Sequence, residues 1–239
     1  MTLLPPRAVP DPLALCPQEH TLHGLLLRDD EAKAAFVKMH GGSRPPDERG
    51  FCMYLPDTHM LHAKCIGALV EPDTEASRAS LKEWLPSAER LLHIAKFERY
   101  WDIHMTGPAH PSLLAARLHA ERLGDWKSAL EVARGLLEIR VDVPMQPLVR
   151  IEALRLLARA RHALDPGCEA ACTALEQAVA EAAEVGYVWM EALALRDMLR
   201  LEGLSEKQRL WARSSLDATL DKLSASRADV LAVLGLGSG

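Results

Sequence analysis

The stretch Arg122-Leu-Gly-Asp-Trp-Lys-Ser-Ala-Leu-Glu-Val-Ala-Arg-Gly-Leu-Leu137 decides the fold. Gly124-Asp125 is a chain break. After it, Ala129, Leu130, Ala133, Leu136 and Leu137 stand at i, i+1, i+4, i+7 and i+8, which places them on one side of a helix. Ala153, Leu156, Leu157, Ala160 and Leu164 follow the same helical periodicity at i, i+3, i+4, i+7 and i+11, and so do Ala171, Ala174, Leu175, Ala178 and Ala182. Between the stripes lie Pro144 with Pro147, Asp165-Pro166-Gly167, Gly186 and Gly203, residues that stop helices. Ser205 with Gln208 reads as a capping box opening a further helix, and Ser226 with Asp229 as a weaker version before Val230–Leu234. Nothing here sustains period-two alternation. From about residue 111 onward the chain reads as all helix.

The helices come in pairs. Leu114-Ala115 and Leu157-Ala158 occupy matching places, and each precedes a polar turn and a second helix with Ala129 or Ala171 near its start. Glu152-Ala153-Leu154 recurs at a similar interval as Glu191-Ala192-Leu193. A period of about 40 built from helix–turn–helix units predicts an α-solenoid, in which each hairpin buries its apolar face on the next. The segment 122–137 resembles the second half of a tetratricopeptide repeat, with Gly124-Asp125 as the turn and Ala129, Ala133 and Leu136 as packing positions. Leu157-Ala158 followed by Ala171, Leu175 and Ala178 is similar to a second unit. The likeness covers about residues 111–225. It departs from the family in lacking the usual aromatics of the first helix and in having a longer period. It implies an all-α, tetratricopeptide-like solenoid that binds protein. Domains of that family that grip chaperone C-termini hold the terminal carboxylate with paired Asn, and this chain contains no Asn.

Residues 1–110 read as an irregular helical part packed on the repeats of 111–239. Helices are expected at Asp29–His40, from a cap at Asp57 to Leu69, at Ser77–Leu85 and at Ser87–His104. Gly41–Gly50 reads as a loop and Phe51–Leu55 as a short strand at most. The first twelve residues carry four prolines and no apolar core, so no secretory leader is expected. Five scattered cysteines fit reduced thiols, which predicts an intracellular setting, cytoplasmic or inside an organelle.

Composition narrows the function. The chain is 49% hydrophobic and 26% charged over 239 residues, which excludes intrinsic disorder. No apolar run reaches the roughly 20 residues of a membrane span. A formal charge of −5 argues against nucleic acid as a partner. The P-loop, the dinucleotide-binding glycine pattern, the Gly-x-Ser-x-Gly elbow and His-Glu-x-x-His are all missing from the sequence.

Three sets of residues carry candidate chemistry. His59, His62 and Cys65 stand at i, i+3 and i+6 and could ligate a metal from one helical surface, although the paired clusters of zinc modules are missing. Cys168 and Cys172 lie near a helix start, where a thiol pKa can fall; small buried cysteines packing as alanine does are the plainer reading. Charge is uneven as well. Basic residues prevail over 117–161 and acids over 165–206, so the two helices either pair across their hairpin or leave an arginine-lined groove for an acidic partner. Trp126, directly after the turn, reads as structural. The expected function is a non-catalytic protein-binding scaffold or accessory subunit of a larger assembly, without cofactor, contacting a protein partner through Arg150, Arg155, Arg159 and Trp189. A metal-dependent protein using the His- and Cys-rich N-terminal half is the alternative, and a ligand-sensing regulatory domain the third reading.

Overall fold

The computed structural model describes residues 54–98, 109–138, 145, 147–167, 169–223 and 227–234. Every regular element among them is an α-helix. The chain divides into two compact units, Met1–Leu85 and Pro86–Gly239. That break precedes the boundary at residue 110 drawn from the sequence.

The described part of the first unit consists of α1 (Tyr54–Val70) and α2 (Glu75–Trp84). Tyr54 and Leu55 therefore belong to a helix and not to a strand, and Asp57 lies within α1 instead of capping it. Helix α2 begins two residues before the expected Ser77. Thr74 accepts from the Ser77 amide while the Ser77 hydroxyl accepts from the Thr74 amide, a reciprocal cap. Lys64 lies over the Trp84 ring, 5.4 Å from its centroid.

In the second unit follow α3 (Ala88–Glu98), α4 (Ala109–Glu121), α5 (Trp126–Glu138), α6 (Pro147–Leu164), α7 (Glu169–Glu184), α8 (Val188–Leu199), α9 (Glu206–Leu220) and α10 (Arg227–Leu234). The stretches 29–50 and 99–104, on which further sequence expectations fell, lie outside the described residues. Packing is sequential from α3 to α9, each helix on its successor. Among the described residues, α3 also packs on α5, α4 on α6, and α6 on α8.

Most of the apolar stripes read from the sequence are buried, although Leu164 at the end of α6 is exposed and Leu130 and Leu137 are only partly covered. Leu114 and Ala115, Leu157 and Ala158, Ala129, Ala133 and Leu136, and Ala171, Leu175 and Ala178 are all inside. Alanine at so many seam positions lets helix axes approach closely, and Leu91, Leu118, Ile151, Leu195 and Met198 fill the space between them. Gly135 takes this furthest, because a Cβ there would lie 2.5 Å from Cδ2 of Leu92 on α3.

The hairpin turns follow local chemistry. Gly124 adopts φ 69°, in the left-handed region that glycine enters without a side-chain clash, and Asp125 then caps α5 by accepting from the Ser128 amide at 3.1 Å. Gly203 (φ 77°) also approaches another turn, since its Cβ would stand 3.3 Å from the Gly167 Cα. The Ser205–Gln208 capping box opens α9 as the sequence predicts. Ser226 is outside the described residues.

Candidate functional site

Helices α4, α6 and α8 lie side by side, and their registers agree. Arg117, Arg155 and Arg196 each stand eight positions after the first residue of their helix (109 to 117, 147 to 155, 188 to 196). Four positions further along are Glu121, Arg159 and Arg200. A four-residue step keeps two side chains on one helical face, so three equivalent faces line up across the row.

Charge pairs join those faces. Arg155 donates from Nε (3.0 Å) and Nη2 (2.7 Å) to Oδ2 of Asp197 on α8, and from Nη1 to Glu152 at 3.0 Å. The other Asp197 oxygen accepts from Arg196 Nε at 3.0 Å and Nη2 at 2.6 Å. On the α4 side, Glu121 accepts from Arg159 Nη1 at 2.7 Å and from Arg117 Nε at 3.4 Å. Burial alone would raise the Glu121 carboxyl, but Arg117 and Arg159 hold it below the usual carboxylate range. The Arg159 guanidinium also stands 5.8 Å from the centroid of Trp126, at the outer edge of a cation–π contact.

The four sequence-predicted contact residues part company here. Arg155 is not a surface residue: it is 5% exposed, because its whole fork is consumed by Asp197 and Glu152 inside the row. Arg150 is half-buried and pairs with Glu181 on α7 at 2.9 Å, across the hairpin, as the opposite charges of the two helices suggested. Arg159 is half-buried at the α4–α6 seam. Trp189 is exposed, on α8. It occupies the second position of its helix, as exposed Leu148 does on α6, and both lie on the stripe that carries the arginines.

The remaining candidates lie elsewhere. His62 and Cys65 are on α1, with Cys65 fully buried and its thiol pushed up by desolvation. The His59 side chain is outside the described residues, among which no three His, Cys, Asp or Glu side chains gather in a way that could hold a metal ion. Cys172 is buried, accepts from Gln208 Nε2 at 3.2 Å and donates to Glu176. Burial, Glu176 and Glu169 push its thiol up to about 11, the reverse of the activation that a helix start can give. Cys168 lies outside the described residues.

An open groove of about 630 Å³ runs along α5, lined by Leu92, Lys127, Glu131, Arg134, Gly135 and Glu138. Its Arg134–Glu138 pair is solvent-exposed, at 68% and 61% of the two side chains. No helix among the described residues is long and apolar enough to cross a membrane.

Sequence reasoning missed Arg117, Arg196, Glu121 and Asp197. The signal that finds them is an arginine at equal depth in three alternate helices, at positions 117, 155 and 196. The Glu-Ala-Leu recurrence points to a different register, and its two glutamates do different work. Glu152 accepts from Arg155, whereas Glu191 is buried, accepting from the Thr219 hydroxyl at 2.7 Å and Lys222 at 3.3 Å. The chain matches no family model, no curated protein and no solved structure at a significant level.

Proposed function

We propose that this chain is a non-catalytic helical-repeat scaffold, tetratricopeptide-like in its stacking, that serves a larger assembly by binding protein on the α4–α6–α8 face. The observation that carries this reading is the contact of α4 with α6 and of α6 with α8, in one register, alongside consecutive packing. Stacked hairpins produce that pattern, because the first helix of each hairpin meets the first helix of the next. On that face Leu148 and Trp189 are exposed and Arg117, Arg159 and Arg196 partly so, which leaves side chains for a partner to contact. The charge pairs within it set the helices at fixed spacing, so binding would proceed on a preformed surface with little ordering cost.

Site-specific photo-crosslinking in cells of the source tests this directly. A benzoylphenylalanine replacing Leu193, on the stripe between Trp189 and Arg196, is expected to give discrete protein adducts. The same probe at Glu131 on α5 is expected to give none. Equal labelling from both positions, or none from position 193, would overturn the proposal.

A further inference from the structure

We infer that the occupant of the α4–α6–α8 face is an extended acidic segment of a partner protein, carrying an apolar side chain a few residues ahead of its first carboxylate. This rests on the scaffold reading and adds the chemistry of the partner. Three observations support it.

The first is the state of the guanidinium groups. Arg155 has all three nitrogens engaged, whereas its neighbours do not. Among the described residues, both Nη atoms of Arg117, Nε and Nη2 of Arg159 and Nη1 of Arg196 make no hydrogen bond, while Arg196 is held by two bonds to Asp197, Arg159 by one to Glu121 and Arg117 by a longer one of 3.4 Å to Glu121. A guanidinium whose orientation is already set loses little further freedom when a carboxylate docks on its open side.

The second is charge. The ion pairs of the row bring together Arg117, Arg155, Arg159 and Arg196 against Glu121, Glu152 and Asp197, a net positive charge on a chain whose formal charge is −5. Complementarity therefore selects an acidic occupant here although the molecule as a whole repels one.

The third is the apolar step. Leu148 and Trp189, exposed and at equal depth, precede the arginine level by two helical turns, about 10 Å of rise. An extended chain covers that distance in about three residues. Tryptophan and arginine are among the side chains that most often dominate binding energy at interfaces.

Fluorescence anisotropy with the full chain tests the inference. The probe is a fluorescein-labelled peptide with one leucine placed three positions ahead of a run of three glutamates. It is expected to bind in low salt, to weaken as salt rises, and to weaken about tenfold with Arg159→Gln or Arg196→Gln. Arg117→Gln, the most exposed of the three, should also weaken it, and Trp189→Ala should remove the advantage of the leucine over serine. Arg134→Gln, on α5, should leave binding unchanged. Circular dichroism of each variant separates lost binding from lost folding, and Arg196→Lys, which keeps charge but not the fork, should fall between wild type and Arg196→Gln.

No binding at low salt, equal binding of a lysine-for-glutamate peptide, equal loss with Arg134→Gln, or tighter binding of a short oligothymidylate would each overturn the acidic-segment inference. Adducts from position 193 to a protein lacking any acidic segment would overturn it while leaving the scaffold reading standing. Peptide binding without such adducts would do the reverse.

Discussion

The Arg155–Asp197 pair of the α6–α8 seam and the Arg134–Glu138 pair of α5 are the same chemistry in two settings. One has side chains 7% and 3% exposed and joins two helices; the other is 68% and 61% exposed and stays within one helix. Exposed pairs contribute little, because water and salt screen them and two long side chains lose freedom. A buried pair contributes little net stability as well, but removing one partner is costly, because the other charge is then stranded without water. Charges on the α4–α6–α8 face therefore fix helix positions, whereas those on α5 mainly keep the surface solvated.

Several experiments would sharpen or break this contrast. Asp197→Ala strands Arg155 and Arg196 together, and a loss of about 3–5 kcal/mol is expected in urea unfolding. The double variant Arg155→Met with Asp197→Leu should recover most of that loss. If it does not, the pair contributes more than helix placement. Asp125→Ala removes the α5 cap and should cost about 1 kcal/mol, read from the same unfolding curves.

Acid gives a graded version of the test. Desolvation opposes ionisation of both Glu121 and Asp125, yet Arg117 and Arg159 for the first, and Ser128 and His119 for the second, hold them below their ordinary range. A carboxylate whose folded pKa is depressed contributes stability above its unfolded pKa, near 4, and loses it as pH falls through the folded value. Thermal melts should therefore decline below about pH 4.5, and Glu121→Gln should flatten that decline. At the small end, Arg134→Ala should leave Tm where it is. A clear drop there would erase the distinction between the two settings.

Much of the fold is legible because it is written in small residues. Ala129, Ala133, Ala171 and Ala178 announce helix seams by spacing alone, and Gly124, Gly203 and Ser205–Gln208 mark where the hairpins turn and restart. The failures have physical causes too. The Thr74–Ser77 cap is quieter than Ser205–Gln208, so the sequence places the start of α2 too late. Arg155 reads as a surface residue because arginine usually is one; only the distant Asp197 carboxylate makes its burial tolerable, and periodicity does not reveal that partner. Arg117 and Arg196 escape a reading based on charge clustered along one helix, because this face distributes equivalent arginines across three.

The most direct measurement is the set of arginine Nε–H signals in ¹H–¹⁵N spectra, recorded while the leucine–triglutamate peptide is added to the full chain. Signals of Arg117, Arg159 and Arg196 should move together and saturate with the binding curve, while that of Arg134, bonded to Glu138 in open solvent, stays in place. Movement of Arg134 with the other three unchanged would place the acidic ligand on α5 and contradict the account.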